Sequence, residues 1–250
     1  MHFKLTLKFI AHIKSLVILR DNLSLLKLCD SLLPPDIAEI LMSLELEYAK
    51  YFFNLFSEEI RADILIELEE DLRERLLEDL SSKEIAKGVV EKLDSDDAAD
   101  VIQELSEKQK IEVISNITDK KQANNIVDLL SYHDNSAGAL MATELIKVYE
   151  NWSVLRCVSE MRKQAKDVHK VYTIYVLSKK NILIGTVSLK KLLITPEKTF
   201  ISEIYNKKII SVNADSSGEE VAKLMNKYDL IVLPVIDQNQ NLIGRITIDD

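Results

Sequence analysis

Asp94-Ser95-Asp96-Asp97, with Asp100 three residues on, gathers carboxylates at a spacing that can do chemistry. Carboxylate oxygens suit a hard divalent cation, and a cation that keeps its waters needs only one or two of them. Asp96 and Asp100 are four apart, so on a helix they share a face. Like charges at that spacing cost roughly 0.2–0.5 kcal/mol in an isolated helix, which a bound cation would offset. A solvated first turn that complements the helix dipole explains Asp94 to Asp97 equally well and Asp100 less well. An EF-hand does not fit: counting from Asp94, the glycine position holds Ala99 and the glutamate position Leu105.

Other reactive residues form no pattern. There is no GxGxxG, Walker loop, HExxH or GxSxG, so no catalytic centre is expected. His2, His12, His133 and His169 lack metal-ligand spacing, and His133 reads as a packing residue near the interdomain linker. Cys29 and Cys157 lie far apart and read as reduced, buried apolar residues of a cytosolic protein.

The elements that must hold the acids come as a repeat. Leu44, Leu55, Leu68, Leu80, Leu93, Leu105, Ile117 and Leu129 recur at spacings of 11 to 13 residues. Between them the pattern is helical, as in Ile64-Leu65-x-x-Leu68, Val89-Val90-x-x-Leu93 and Val101-Ile102-x-x-Leu105. Short polar starts at Ser57, Ser81, Asp94 and Ser106 offer N-caps, and Leu33-Pro34-Pro35-Asp36 opens a helix with proline in its first turn. Such short helices are marginal alone and bury a continuous core when stacked into a superhelical array.

After Ser131 the period changes. Glycine returns in Ser136-Ala137-Gly138-Ala139-Leu140-Met141, and Val171 to Leu177 and Leu230 to Ile236 read as strands. At an offset of 59 residues, the segment Ile174 to Ser188, containing Leu183-Ile184-Gly185, lies over Leu233 to Thr247, containing Leu242-Ile243-Gly244. Amphipathic helices precede both, at Val154 to Lys163 and Gly218 to Tyr228, so the second half is a tandem duplication of a β-α-β-β unit.

Charge follows the same division. Residues 1–32 carry five basic and two acidic side chains (+3), residues 33–131 carry 11 and 25 (−14), and residues 132–250 carry 16 and 14 (+2). The acidic middle argues against nucleic acid and suits cations or a basic partner. No apolar run approaches the ~18 residues of a membrane span. Lys4, Lys8, His12 and Lys14 interrupt the run from Phe3 to Leu19, which reads as an amphipathic helix packed on its neighbour.

Gly185-x-x-Ser188 and Gly244-x-x-Thr247 in tandem hairpins resemble a pair of CBS domains. With Leu33-Pro-Pro-Asp-Ile-Ala-Glu-Ile-Leu, Leu93-Asp-Ser-Asp-Asp-Ala-Ala-Asp and Ser136-Ala-Gly-Ala-Leu-Met ahead of them, the chain resembles the cytoplasmic portion of MgtE-type magnesium transporters. The fold implied is α plus α/β, with a superhelical array of short helices over residues 1–131. CBS domains follow over 132–197 and 198–250, the second cut short at its C-terminus.

The resemblance implies a Mg²⁺-sensing homodimer joined through its CBS domains, on the cytoplasmic side of the membrane. It would close a transmembrane pore that follows beyond Asp250. Mg²⁺ contacts carry over to Asp96, Asp100, Asp229 and Asp250, with Glu219 and Asp63 as further acids and a backbone carbonyl near Gly138. ATP carries over as a second ligand through Thr247-x-x-Asp250 and Ser188, but Lys191 stands where the first copy should supply an acid for the ribose. A CBS module sensing adenine nucleotides and a helical docking scaffold without metal sensing are the competing readings.

Overall fold

In the first half of the chain, alternate short helices stack. The computed structural model describes residues 3–166, 168 and 170–249. Among these, ten helices fill the first half: α1 (Leu7–Leu19), α2 (Asn22–Cys29), α3 (Pro34–Met42), α4 (Leu46–Phe53), α5 (Glu58–Ile66), α6 (Glu70–Leu77), α7 (Ser82–Gly88), α8 (Ser95–Gln103), α9 (Glu107–Asn116) and α10 (Lys120–Leu129). α3 contacts α5, α5 contacts α7 and α7 contacts α9, the pairing of a superhelical array. Leu68, Leu93, Leu105, Ile117 and Leu129, residues of the 12-residue period, are buried.

The caps follow the sequence in part. Ser81 and Ser106 form capping boxes with Glu84 and Gln109, and the Leu33 N–H donates to Asp36 Oδ2 at 3.0 Å beside the two prolines. Ser57 makes no side-chain cap. The helix expected through Val89-Val90 breaks instead: α7 stops at Gly88, Val89 adopts φ −125° and ψ −71°, and Val90–Lys92 form a 3-10 turn. Glycine is a poor interior helix residue and two β-branched valines follow it, so the turn tightens there. α1 buries Ile13, Leu16 and Val17 and contacts α2 and α4.

The second half repeats one pattern twice. β1 (Ile146–Tyr149), α11 (Val154–Gln164), β2 (Ile174–Leu177), β3 (Leu183–Val187) and α12 (Leu189–Ile194) form the first copy. β4 (Val212–Asn213), α13 (Gly218–Tyr228), β5 (Val232–Ile236) and β6 (Leu242–Thr247) form the second. In each sheet the first strand is parallel to the second, and the second is antiparallel to the third. The 59-residue offset extends to the details: bulges follow Val176 and Val235, and Asn181 and Gln240 both take φ 65° in the hairpin turns. Strands β2 and β5 start later than their apolar runs. In the second copy, Asp229 and Leu230 are spent ending α13 before the chain can extend.

The copies are laced together. Ala142, ahead of β1, exchanges backbone hydrogen bonds with Arg245 on β6, and Asn206, ahead of β4, exchanges them with Thr186 on β3. The chain packs as two compact units: residues 1–93 with 100–123, and residues 94–99 with 124–250. α8 and α10 each run from one unit into the other.

Cys29 and Cys157 are free and buried, and burial pushes both thiols up to about 11. Thiolate is the reactive form, so at pH 8 both should react with a thiol reagent roughly a hundredfold more slowly than in denaturant, before access is counted. The raised value stabilises the fold below the thiol's ordinary pKa and is lost as pH climbs from about 9 toward 11. Absorbance assay of thiol labelling, native against urea-unfolded, checks the first point.

Candidate functional site

α8 turns its apolar side, Ala98, Ala99, Val101 and Ile102, into the protein. Asp96 and Asp97 in its first turn are half-buried and Asp100 is exposed. The Asp97 N–H donates to Asp96 Oδ1 at 3.0 Å, so Asp96 uses one oxygen on a donor that the helix start leaves without a helical partner.

Asp229 closes α13 and is exposed. Two local preferences oppose it. Its backbone is left-handed, φ 52° and ψ 50°, where glycine is the usual choice. Its carboxylate also sits at the negative end of the helix dipole, where a cation is favoured. At the other end of α13, Ser217 caps the helix and exposed Glu219 pairs with Lys223 at 2.6 Å.

Gly138 lies against that same end. Its N–H donates to Ala214 O at 2.8 Å, Ala137 donates to Ser216 O at 2.7 Å, and Gly218 donates to Asn135 O at 2.7 Å. A Cβ on Gly138 would fall 2.4 Å from the Tyr132 ring, so only glycine lets the linker run this close. Asp63 is exposed on α5, in the first unit.

Thr247 ends β6 and is buried. A hydrogen bond with Thr247 holds the neighbouring Asp249 carboxyl below its usual range, with help from the charges of Lys170 and Arg245. Asp250 lies outside the described residues. Ser188 spends its hydroxyl capping α12, accepting the Lys191 N–H at 3.2 Å. Among the described residues no three Asp, Glu, His or Cys side chains form a group ready to hold a metal. The donors are nonetheless of the right kind for Mg²⁺, whose retained waters reduce the protein's share to one or two carboxylates.

Two part-buried ion pairs, whose arginines sequence reasoning does not single out, both hold α8. Arg245 Nη2 contacts Asp94 Oδ2 at 3.0 Å, with side chains 6% and 18% exposed. Arg73, on α6, pairs through Nε and Nη2 with Glu104 just past the end of α8, with side chains 16% and 12% exposed. Arg245 left a trace in the duplication, since its counterpart at the 59-residue offset is Thr186. Arg73 sits in an acid-rich helix and left none.

Residues 32–135 match the MgtE intracellular N domain, and residues 137–196 and 201–250 match the CBS domain. Magnesium transporter MgtE of Enterococcus faecalis is 35% identical over 128 residues, 51% of this chain and 28% of its own length. That of Thermus thermophilus is 39% identical over 122 residues, 49% of this chain and 27% of its own length. The chain thus spans about a quarter of the length of these curated relatives. Two crystal structures match nearly throughout. The soluble part of a magnesium transporter aligns with TM-score 0.81 and 27% identity, covering 96% of this chain and 94% of that one. The cytosolic domain of the Mg²⁺ channel MgtE in complex with ATP aligns with TM-score 0.87 and 28% identity, covering 96% and 97%. Among the described residues no helix is long and apolar enough to cross a membrane.

Proposed function

The chain joins an MgtE intracellular N domain to a CBS pair and is homologous to the cytosolic part of MgtE magnesium transporters; from that premise we propose that it is a Mg²⁺-sensing regulatory region. In this reading it lies on the cytoplasmic side of the membrane and controls a transmembrane pore carried elsewhere in the full protein. Mg²⁺ bound by Asp96, Asp100, Asp229 and Asp250, with Glu219, Asp63 and the backbone near Gly138 as further contacts, offsets the repulsion among acids and favours the pore-closing state. The chain's own part is electrostatic and it catalyses no reaction. Leu189, Leu193 and Ile194, between 50% and 73% exposed on α12, support pairing of two copies through the CBS domains.

The observation that carries this reading is Asp229, an acid kept where both backbone and dipole disfavour it. Near its dissociation constant one site shifts an equilibrium by only about 0.4 kcal/mol, so several coupled sites are required. Asp229→Gly separates the roles. It should stabilise the end of α13 by up to about 1 kcal/mol and still raise the Mg²⁺ midpoint severalfold. Small-angle scattering and protease protection across a Mg²⁺ titration, with Ca²⁺ as control, provide the readout. Unchanged protection in both Asp229→Gly and Asp250→Ala counts against the reading.

An adenine nucleotide as the sensed ligand has less support. Lys191 stands where the ribose acid is expected and Ser188 is engaged as a cap.

A further inference from the structure

Asp94 is an acid at the start of α8 that the Mg²⁺ reading does not use. Its partner Arg245 is 5% exposed, sends Nε to Glu144 O at 2.8 Å, and stacks 5.2 Å from the Tyr172 ring centre. Ser95 beside it is fully buried and donates both its N–H and its hydroxyl to Glu144 Oε2, at 3.0 and 2.9 Å. The Thr143 N–H donates back to Ser95 Oγ at 2.8 Å, and Asn125 Nδ2 donates to Thr143 Oγ1 at 2.8 Å. The first turn of α8 therefore hangs from a buried polar network, not from apolar packing alone.

The fold does not demand this arginine, because the matching residue of the first copy is Thr186. Nor is a buried ion pair an economical way to gain stability, since desolvation offsets much of the attraction. What a guanidinium fork provides is direction: two donors aimed at Asp94 and at the Glu144 carbonyl fix where the helix begins. The adjoining cavity of about 10 Å³ has room for roughly one water.

We propose that Arg245 is a positioning residue for the acidic turn: by clamping Asp94 it sets where Asp96 stands, and so tunes the response of Asp96 to Mg²⁺ from strand β6. The Mg²⁺ half of this statement rests on the function proposed above; the clamp itself does not. Hydrogen exchange of the Ser95, Ala98 and Ala99 amides, read in the full chain without Mg²⁺, tests the clamp alone. Asp94→Asn and Arg245→Lys should each speed that exchange about tenfold or more, with β2 and α11 unchanged as a check on folding. Arg245→Lys combined with Asp94→Asn should add little to either single change, because both act on one interaction. In a MgCl₂ titration followed by protease protection, the single variants should shift the midpoint upward about threefold.

Unchanged exchange in both Asp94→Asn and Arg245→Lys overturns the clamp, as do fully additive effects in the double variant. Faster exchange with an unmoved Mg²⁺ midpoint overturns the coupling. A native chain with no Mg²⁺ response, but with the exchange effects present, counts against the function proposed above and leaves the clamp standing.

Discussion

Arg73→Met should lower the stability of the first unit by about 3–5 kcal/mol, the largest single-residue loss expected in the helical array. Glu104 is 12% exposed and would be left without its bidentate partner. Hydrogen bonding to Glu104 raises the Arg73 pKa against the opposing effect of burial, and the charges of Glu104, Asp100 and Glu70 add to it. Removing the guanidinium thus leaves neighbouring carboxylates facing one another, with one of them, Glu104, part-buried. Glu104→Gln should cost less, about 1–2 kcal/mol, because a neutral amide still accepts a bond from Arg73. Replacing both partners with apolar residues, Arg73→Met with Glu104→Leu, should recover most of the loss. Urea unfolding followed by hydrogen exchange of α6 and α9 amides isolates this unit, as a two-unit chain need not unfold in one step. A double variant as unstable as Arg73→Met would mean that the charge pair is not the cause.

The two arginine pairs show what sequence reasoning reaches and where it stops. Periodicity carries the helical array, since leucines every 12 residues must share a core, and the offset of 59 carries the duplicated sheets down to their bulges. These patterns are local or self-referential. Arg73 to Glu104 spans 31 residues and Arg245 to Asp94 spans 151, and nothing in either segment announces its partner. The acids are legible as a class, while their partners are not: nothing in Asp94-Ser-Asp-Asp marks Asp94 as the partner of a buried guanidinium. Asp229 is the reverse case. Its oddity is invisible in Lys227-Tyr228-Asp229 and appears only once α13 is seen to end there in a left-handed turn.

Gly185→Ala should be the most damaging small substitution in the CBS pair. A Cβ there would sit 2.2 Å from Asn206 O and 2.5 Å from the Tyr205 ring. Neither Gly185 nor Gly244 has positive φ, so the cost is steric and not conformational. The obstacle is backbone, and Asn206 is tied to Thr186 by hydrogen bonds of 2.7 and 3.0 Å, so relief requires parting the two copies. A loss of about 3 kcal/mol or more, at the upper end of overpacking costs, is expected in thermal unfolding. Gly244→Ala meets Met141 Sδ at 2.5 Å and Ala142 O at 2.9 Å. The methionine can yield and the backbone obstacle, Ala142 O at 2.9 Å, is less close than Asn206 O is to Gly185, so a smaller loss of about 1–2 kcal/mol is expected there. The milder change should still disturb function more. Ala142 pairs with Arg245 and leads directly into Thr143 and Glu144, so Gly244→Ala pushes on the segment that holds the first turn of α8, whereas Gly185→Ala pushes on the segment before β4. Hydrogen exchange of the Ser95 amide at a temperature where both variants are folded distinguishes them: faster exchange in Gly244→Ala alone ties the tightness of this crossing to the placement of the acidic turn, and equal exchange in both would sever that link.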